Sequence, residues 1–345
     1  MDLKADLLAK IRSGVLADGG RLESEPELAE RLHLSRNTIR QALRELEEEG
    51  YVYRVHGKGT FLRNAAPQEL RKIALLIYDA AYVAHPVTGG LIRGIDETLR
   101  ENGFFLDVLA SSRSFQDESL KNLAECYAGF LIGTHQLDAL TLAELPKVRR
   151  PYLFVKNYPP DRQVPSARID FQKAGFLAVA HLAETQCCNL ALLCPGKEIA
   201  IADDFREGVR SGALEYGLKL RGENSFTIDF SGLDAIPDVC GELLARDERI
   251  DGVVCASDDL ACALLAELKK RKVPVPEQIA VVGCNNTDNA KTASPPLTTI
   301  DIPVMELGRR AADVLLGMIR GESVTMGMLE PSLVVRNSTK RKHGE

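Results

Sequence analysis

Polar and basic side chains recur on one face of a helix predicted to begin after Ser35. Four of them fall away from the apolar positions of that helix: Arg36, Asn37, Arg40 and Arg44. Arginine and asparagine can donate paired hydrogen bonds to base edges, and the hydroxyls of Ser35 and Thr38 can bond to phosphates. Many solvated helices carry a similar face, so the neighbouring elements must decide between the two interpretations.

Those neighbouring elements predict two short helices. Ser24 and Glu27 have the spacing of a capping box and start the first helix. After a short break, Ser35 can cap a second helix that runs to about Glu49. The second helix has a buried stripe at helical spacing: Ile39, Ala42, Leu43 and Leu46.

A β-hairpin is predicted directly after the second helix. Residues 51–55 and 60–62 have strand character, and the segment between them contains His56, Gly57, Lys58 and Gly59. Helix, turn, helix and wing is an arrangement that places one helix in the major groove of DNA. The combination therefore favours DNA binding over an ordinary solvated face.

Charge supports this interpretation only locally. The formal net charge of the 345 residues is −6, which argues against a general nucleic-acid coat. Residues 31–64 are nevertheless basic, with Arg31, Arg36, Arg40, Arg44, Arg54, Lys58 and Arg63 against Glu45, Glu47, Glu48 and Glu49. Recognition is thus expected from a patch on one face.

Composition narrows the location of the protein and the kinds of site that it can contain. The first residues form an amphipathic pattern without the apolar centre of a signal peptide, and no run is long enough to span a membrane, so a cytoplasmic protein is expected. The eight cysteines lack zinc-like spacing and predict buried, reduced thiols, with no metal or cofactor.

The tract 21–62 closely resembles the winged helix-turn-helix of GntR-type transcription regulators. The resemblance implies DNA contacts from helix and wing residues: Ser35, Arg36, Asn37, Thr38, Arg40, His56, Gly57 and Lys58. Two positions depart from the family pattern. Pro26 stands where members often carry an arginine, and Glu23 is expected to repel phosphate.

The remainder of the chain predicts an α/β fold. Residues 63–71 are polar and form an expected linker, after which apolar strands alternate with helical patterns, the first at about 88–102. The strands are predicted at 73–78, 105–109, 130–132, 152–155, 190–194, 226–230, 253–255 and 279–283. This alternation predicts parallel sheets, and their number favours two doubly wound lobes.

Several ordered motifs resemble the LacI/GalR effector domain: residues 203–208, 256–261, 273–283, 295–300 and 305–312. The resemblance implies two doubly wound lobes, as in periplasmic sugar-binding proteins, with chain crossings near Asp170, Thr299 and Gly327. The expected domains are 1–62 for DNA binding, 63–71 as the linker and 72–345 for effector binding and dimerisation. Lobe 1 is expected at about 72–170 and 300–326, and lobe 2 at about 171–299 and 327–340. The combination is similar to arabinose-responsive repressors of the AraR type.

Ligands of such folds bind at the carboxyl ends of the parallel strands. That position, with the motifs, selects candidate effector contacts: Tyr78, Asp79, Tyr82, His85, Lys156, Asp170, Arg206, Phe230, Asp258 and Asn285. The resemblance assigns the effector clamp to Arg206, at the opening of a helix, and aromatic stacking to Phe230. Alternatively, Arg206 and Asp258 form an ion pair, and the aromatic side chains and His85 serve packing. Asn285 stands where the family usually has an aspartate.

The resulting expectation is a homodimeric, DNA-binding transcription regulator, a repressor released from its operator by a small sugar-like effector. A corepressor-dependent repressor and a solute receptor without DNA function remain alternatives. A sugar enzyme is disfavoured because GxSxG, HExxH and Walker-type motifs are absent from the sequence. Asp203 and Asp204 are expected to be helix N-caps and not a catalytic pair.

Overall fold

The computed structural model describes most of the chain as two compact units, Met1–Arg71 and Lys72–Glu345. The described residues are 21–32, 34–48, 51–55, 58–62, 71–77, 83–110, 120–133, 143, 145–148, 150–159, 161, 163–196, 199–228, 232–325 and 327–340. The predicted linker 63–71 lies outside them except for Arg71.

The first unit contains the predicted helices and hairpin. Its elements are α1 (Glu25–Leu32), α2 (Arg36–Glu48), β1 (Val52–Val55) and β2 (Gly59–Leu62), and the two strands are antiparallel. The capping box is confirmed, because the Ser24 amide donates to Glu27 Oε2 at 2.7 Å and the Glu27 amide to Ser24 Oγ at 3.4 Å. The predicted stripe of α2 is buried together with Leu28 and Val52.

Lobe 1 of the second unit is a parallel sheet. It consists of β3 (Lys72–Ile77), α3 (Pro86–Glu101), β4 (Phe105–Ala110), α4 (Leu120–Cys126), β5 (Gly129–Ile132), a 3-10 turn (Leu145–Lys147), β6 (Tyr152–Val155) and β7 (Ser166–Ala167). The strand order is β4-β3-β5-β6-β7. This order places the carboxyl ends of β3 and β6 at one edge of the sheet, where connections diverge.

Lobe 2 has the same alternation of strands and helices as lobe 1. It consists of α5 (Phe171–Glu184), β8 (Asn189–Cys194), α6 (Ala200–Glu215), β9 (Lys219–Thr227), a 3-10 turn (Leu233–Ala235), α7 (Ile236–Leu244), β10 (Gly252–Cys255), α8 (Asp258–Lys270), β11 (Ala280–Cys284), α9 (Asp288–Thr292), β12 (Thr298–Asp301) and β13 (Ser332–Val334). The strand order is β13-β12-β11-β10-β8-β9. The remaining helix, α10 (Val304–Ile319), packs back on α3, β5 and β6 of lobe 1.

The structure corrects several local predictions. Strand β9 spans Lys219–Thr227 instead of 226–230, because an edge strand with polar, exposed residues lacks the apolar run that marked the others. Strands β7, β12 and β13 were not predicted, and β13 is antiparallel to β12. Cys126 and Cys188 are exposed, so the prediction of buried thiols is wrong for these two.

Each lobe contains a pair of helices held together through glycines. A Cβ on Gly94 of α3 would lie 2.0 Å from the Met305 carbonyl oxygen, and one on Gly308 of α10 would lie 2.3 Å from that of Leu91. In lobe 2, a Cβ on Gly208 of α6 would lie 1.9 Å from the Gln172 carbonyl oxygen of α5. Backbones that approach so closely leave no room for sliding, so each lobe should move as a rigid body. None of the described helices is both long and apolar enough to cross a membrane.

Candidate DNA-binding surface and effector cleft

The predicted DNA-contacting side chains of α2 lie together on the surface. Arg36, Asn37, Thr38 and Arg40 are exposed, whereas Ile39 between them is fully buried. Ser35 caps the helix, because its Oγ accepts from the Thr38 amide at 3.2 Å, and it lies 2.8 Å from Thr38 Oγ1. The two hydroxyls are therefore presented as a pair at the helix start.

The wing is described only in part. Lys58 is exposed and its amide donates to the Val55 carbonyl at 2.9 Å, which forms the turn before Gly59. Gly59 has φ of +114°, a conformation that suits glycine. His56 and Gly57, the other predicted wing contacts, lie outside the described residues.

The structure adds a residue that the sequence did not reveal. Glu25 of α1 pairs with Arg40 of α2 (Oε2 to Nε, 3.1 Å) and with Arg54 of β1 (Oε1 to Nη2, 3.5 Å). One carboxylate thus links the first helix, the second helix and the wing. Glu23, which is expected to repel phosphate, pairs with Arg31 at 2.9 Å. These contacts join residues distant in sequence, so helical periodicity carries no signal for them.

Among the described residues, two side-chain hydrogen bonds join lobe 1 to lobe 2. His85, just before α3, contacts Asp259 of α8 (Nε2 to Oδ2, 3.0 Å), and the Tyr158 hydroxyl donates to Asp204 of α6 at 2.5 Å. His85 Nδ1 accepts from the Val87 amide at 3.3 Å, so a neutral His85 carries its proton on Nε2 and donates it to Asp259. Asp259, Tyr158 and Asp204 were not among the predicted site residues.

Electrostatics at these contacts follows from the hydrogen bonds and burial. The bond from His85 holds the pKa of Asp259 below its usual range. Burial, helped by the bond to Asp204, raises the pKa of Tyr158 to about 12, so the phenol stays protonated and can donate. The Arg168 guanidinium lies 3.7 Å from the centre of the Tyr158 ring and holds that ring from the other side.

Lys156 follows β6, as predicted, in an unusual backbone conformation. Its φ is +68°, and its amide donates to the Ala167 carbonyl at 2.9 Å, which fixes the turn. The side chain is half-buried, and this burial lowers the pKa of its ammonium group, opposed by the thiol of Cys284 at the end of β11.

Arg206 lies in the second turn of α6, and not at its opening as predicted. The helix begins at Ala200 after Ile199, so Asp203 and Asp204 are not its N-caps. The Arg206 guanidinium donates to Asp203 and to the Pro195 carbonyl, just beyond β8, and only 7% of the residue is exposed. These partners, and not Asp258, satisfy its charge.

Asp258 begins α8 and is fully buried. Its Oδ2 accepts from the Thr287 amide at 2.6 Å and the Thr287 hydroxyl at 3.1 Å, and its Oδ1 accepts from the Thr299 hydroxyl at 2.5 Å. Burial raises its pKa to about 6 against these hydrogen bonds, which lower it. A Cβ on Gly283 would lie 2.5 Å from Oδ1, so this glycine makes room for the carboxyl group. In this arrangement Asp258 connects α8 to the loop after β11 and to β12.

The other candidates are placed as follows. Asn285 has φ of +109°, and its amide donates to the Ile300 carbonyl at 2.8 Å. It lines a cavity of about 470 Å³ between the start of α3 and the loop after β11. Asp170 caps α5, because its Oδ1 accepts from the Lys173 amide at 2.8 Å. Four candidates lie outside the described residues: Tyr78, Asp79, Tyr82 and Phe230.

Comparison with known proteins shows which families the two parts of the chain resemble. Residues 2–62 match the bacterial regulatory proteins of the gntR family, and residues 179–339 match the periplasmic binding protein-like domain. The arabinose metabolism transcriptional repressor of Geobacillus stearothermophilus is 30% identical over 362 residues, covering 99% of this chain and 97% of the relative. The chain belongs to this repressor family.

Other relatives share parts of the same plan. The transcriptional repressor CytR of Escherichia coli is 27% identical over 318 residues, covering 89% of this chain and 88% of the relative. The solved structure of the regulator CelR in complex with cellobiose has a TM-score of 0.71 and 25% identity, covering 92% of this chain and all of that one. Both resemblances inferred from the motifs are confirmed, and the chain is a DNA-binding transcription regulator.

Proposed function

We propose that this regulator represses transcription by binding a short pseudo-palindromic operator as a homodimer. The observation that carries the proposal is the exposed set of Arg36, Asn37 and Arg40 on a helix whose opposite face is buried. A single helix reads only a few base pairs, so useful specificity requires two half-sites and hence two subunits. In this proposal residues 1–62 bind DNA, 63–71 link, and 72–345 bind the effector and the second subunit.

Operator titration by fluorescence anisotropy tests the DNA-binding residues. Replacing Arg36 or Arg40 with alanine should cost about 1–3 kcal/mol if each makes a bidentate base contact. Arg309→Ala is the matched control, since Arg309 pairs with Glu97 on α3 at 3.1 Å in the effector unit. Unchanged operator affinity in both test variants would contradict the assignment.

The effector in this proposal is a small sugar-like molecule held between the lobes, and its binding releases the operator. Support comes from Lys156 and Asn285 at strand ends, from Arg206 of α6, which bonds to the Pro195 carbonyl just beyond β8, and from relatives named for arabinose metabolism or solved with cellobiose. Arginine and asparagine offer the paired donors and acceptors that hydroxyl-rich ligands need. The candidates 78, 79, 82 and 230 complete the proposed site, with Phe230 stacking on the ligand.

Calorimetry over a panel of pentoses, hexoses and sugar acids, followed by operator titration with each binder, tests the effector. A binder that weakens operator affinity supports release. One that strengthens operator affinity would replace it with corepression. A binder whose affinity is unchanged by Arg206→Ala would remove Arg206 from the proposed clamp.

A further inference from the structure

A second cavity, of about 180 Å³, lies in lobe 2 away from the proposed effector cleft. Its wall is formed by the middle of β9 and by the loop that leads from α7 into β10. The lining residues are Arg221, Glu223, Asn224, Ala245, Arg246, Asp247 and Glu248. Because that loop precedes β10, the cavity lies towards the amino ends of the lobe 2 strands, whereas the cleft lies at their carboxyl ends.

A bulge in β9 forms one side of this cavity. In the pairing of β8 with β9, Leu190 lies opposite Leu220, and Leu192 lies opposite Ser225. The four residues 221–224 of β9 therefore correspond to a single residue of β8, and they leave the ladder. Bulges redirect side chains and occur often beside functional sites, and this one carries three of the residues that line the cavity.

Two buried polar atoms of the cavity wall lack hydrogen-bond partners. Asn224 is only 5% exposed, and its Oδ1 accepts no hydrogen bond from any residue that the structure describes. The Nε of Arg246 is also buried and donates to none of these residues, although the Nη2 of the same side chain donates to the Glu223 carbonyl at 2.7 Å. Burying polar groups without partners destabilises a fold, and a ligand that pairs with both atoms would recover that loss.

The charges around these atoms are already paired or exposed. Arg221 pairs with Glu248, and Arg246 pairs with Glu242. The two other carboxylates of the wall, at positions 223 and 247, are exposed, so water screens their charge. The wall therefore needs hydrogen bonds and not a charged partner: a donor for the Asn224 oxygen and an acceptor for the Arg246 Nε.

We propose that this cavity binds a neutral, planar molecule with a donor and an acceptor side by side, as in a nucleobase or a carboxamide. Asparagine recognises such an edge through its own carboxamide, and arginine donates in the plane of its guanidinium, so both groups match a planar partner. The terminal torsion of Asn224 is soft, so its carboxamide can turn towards the ligand. The cavity is smaller than the roughly 300–1,000 Å³ of sites for drug-sized ligands, so the expected ligand is a single small molecule and not a nucleotide.

Calorimetry on the full chain tests the site with adenine, cytosine, uracil and nicotinamide, and with ribose as a non-planar probe. At least one planar probe should bind, and the comparison of the bases with nicotinamide separates the two sources of this chemistry. Asn224→Leu and Arg246→Lys should each weaken that binding about tenfold or more, because each removes one partner. Asn102→Leu is the control and should leave it unchanged, since Asn102 lies in lobe 1 and already donates to the Thr98 carbonyl at 2.9 Å.

Thermal unfolding separates a ligand site from a site filled by a structural water. An unpaired carboxamide predicts that Asn224→Leu has an unchanged or higher Tm, whereas the loss of a bound water would lower it. A lower Tm therefore overturns the inference, as does the absence of binding by every planar probe. Planar binding that is equal in the wild-type protein and both variants overturns it too, because the ligand then lies elsewhere. Ribose binding that falls in Asn224→Leu would contradict the planar class. The proposed operator and effector do not depend on this cavity, so they stand in each case.

Discussion

At the residue scale, Asp258 keeps a carboxyl group out of water while three hydrogen bonds point at it. Burial disfavours its charged form more than the two threonines favour it, so its pKa rises from 3.8 to about 6. Between these values the folded chain binds a proton that the unfolded chain releases. The stabilisation of the folded protein by this group is therefore present at low pH and is lost as the pH rises through about 6.

Replacing Asp258 with asparagine should reduce the stability gained on acidification. In the wild-type protein, lowering the pH from 7 to 4.5 should raise the contribution of this group to the free energy of unfolding by an amount on the order of 2 kcal/mol. Asparagine cannot ionise, and its amide can still accept from Thr287 while donating to the Thr299 oxygen. Chemical denaturation of both proteins at the two pH values measures the difference.

Asp288 provides the control at the same scale. It is exposed, and its pKa is lowered by Lys291, the opposite direction from Asp258. Asp288→Asn should therefore leave the stability gained on acidification intact or slightly enlarge it. An equal pH response in the wild-type protein and in Asp258→Asn would contradict the assigned pKa shift.

At the element scale, Glu25 links the two helices and the wing of the DNA-binding unit, and Glu47 of α2 also pairs with Arg54 of the wing at 3.3 Å. Its carboxylate lies between Arg40 and Arg54, so it positions a predicted base-reading side chain without being placed to read a base itself. It also puts a negative charge next to a surface that should approach phosphate. Glu25 thus has two opposite effects on DNA binding, because it positions Arg40 but its negative charge weakens the attraction to phosphate.

Glu25→Gln should weaken discrimination and strengthen the salt-dependent part of binding. Removing one negative charge should favour non-specific DNA and steepen the slope of log affinity against log salt by up to about one unit. The freed Arg40 should also lose preference for the operator over scrambled DNA. Titrations of both DNAs at several salt concentrations measure the two effects.

Glu23→Gln is the matched control for this variant, because Glu23 lies just before the same helix but pairs with Arg31. It removes the same charge without affecting Arg40. If the two variants change the specificity ratio equally, Glu25 acts only through its charge and its positioning role is wrong.

Elements with local signals were predictable, and elements fixed by distant contacts were not. Ser24 with Glu27, and Ser35 with Thr38, act within one helical turn, so the sequence was enough to place both helix starts. The start of α6 at Ala200 lacks a side-chain cap, which explains the wrong position predicted for Arg206.

The prediction of cleft residues succeeded and failed for the same reason. Apolar runs in the sequence located the strand ends, and this was enough to predict Lys156 and Asn285 at the cleft. The pairing of Tyr158 with Asp204 across 46 positions depends on the tertiary fold, and a single sequence carries no pattern for it.

At the scale of the whole molecule, the side-chain hydrogen bonds of His85 with Asp259 and of Tyr158 with Asp204 favour the arrangement in which the lobes are close. Tyr158→Phe removes one of them and leaves the ring against Arg168. One such bond contributes about 1 kcal/mol, so the closed arrangement should lose roughly fivefold in population. Under the proposed mechanism, effector affinity should fall by a similar factor, because closure then requires more of the binding energy.

Calorimetry with the identified effector measures that loss, and small-angle scattering without effector should give a larger radius of gyration for the variant. The double variant Tyr158→Phe with Asp204→Asn should add little, since both changes break the same bond. Additive losses would mean that Tyr158 and Asp204 act separately.

Signal transfer from cleft to operator is also a property of the whole molecule. Closure of lobes around a ligand is a known switching mode, and we propose that the segment 63–71 conveys it by changing the spacing of the two DNA-binding units. Inserting about ten Gly/Ser residues there should preserve effector affinity and abolish effector-dependent release. Release that persists in full in the lengthened protein would show that spacing is not the route.

The return of α10 to lobe 1 has a consequence for synthesis on the ribosome. The sheet of lobe 1 emerges early, but the helix that packs on α3, β5 and β6 spans Val304–Ile319 and emerges only after β12 of lobe 2. Lobe 2 in turn awaits β13 and the hydroxyl of Ser338, which bonds to the Val281 carbonyl at 2.6 Å. Both lobes therefore remain unfinished until nearly the same moment of translation, with apolar faces that a nascent-chain chaperone would have to shield.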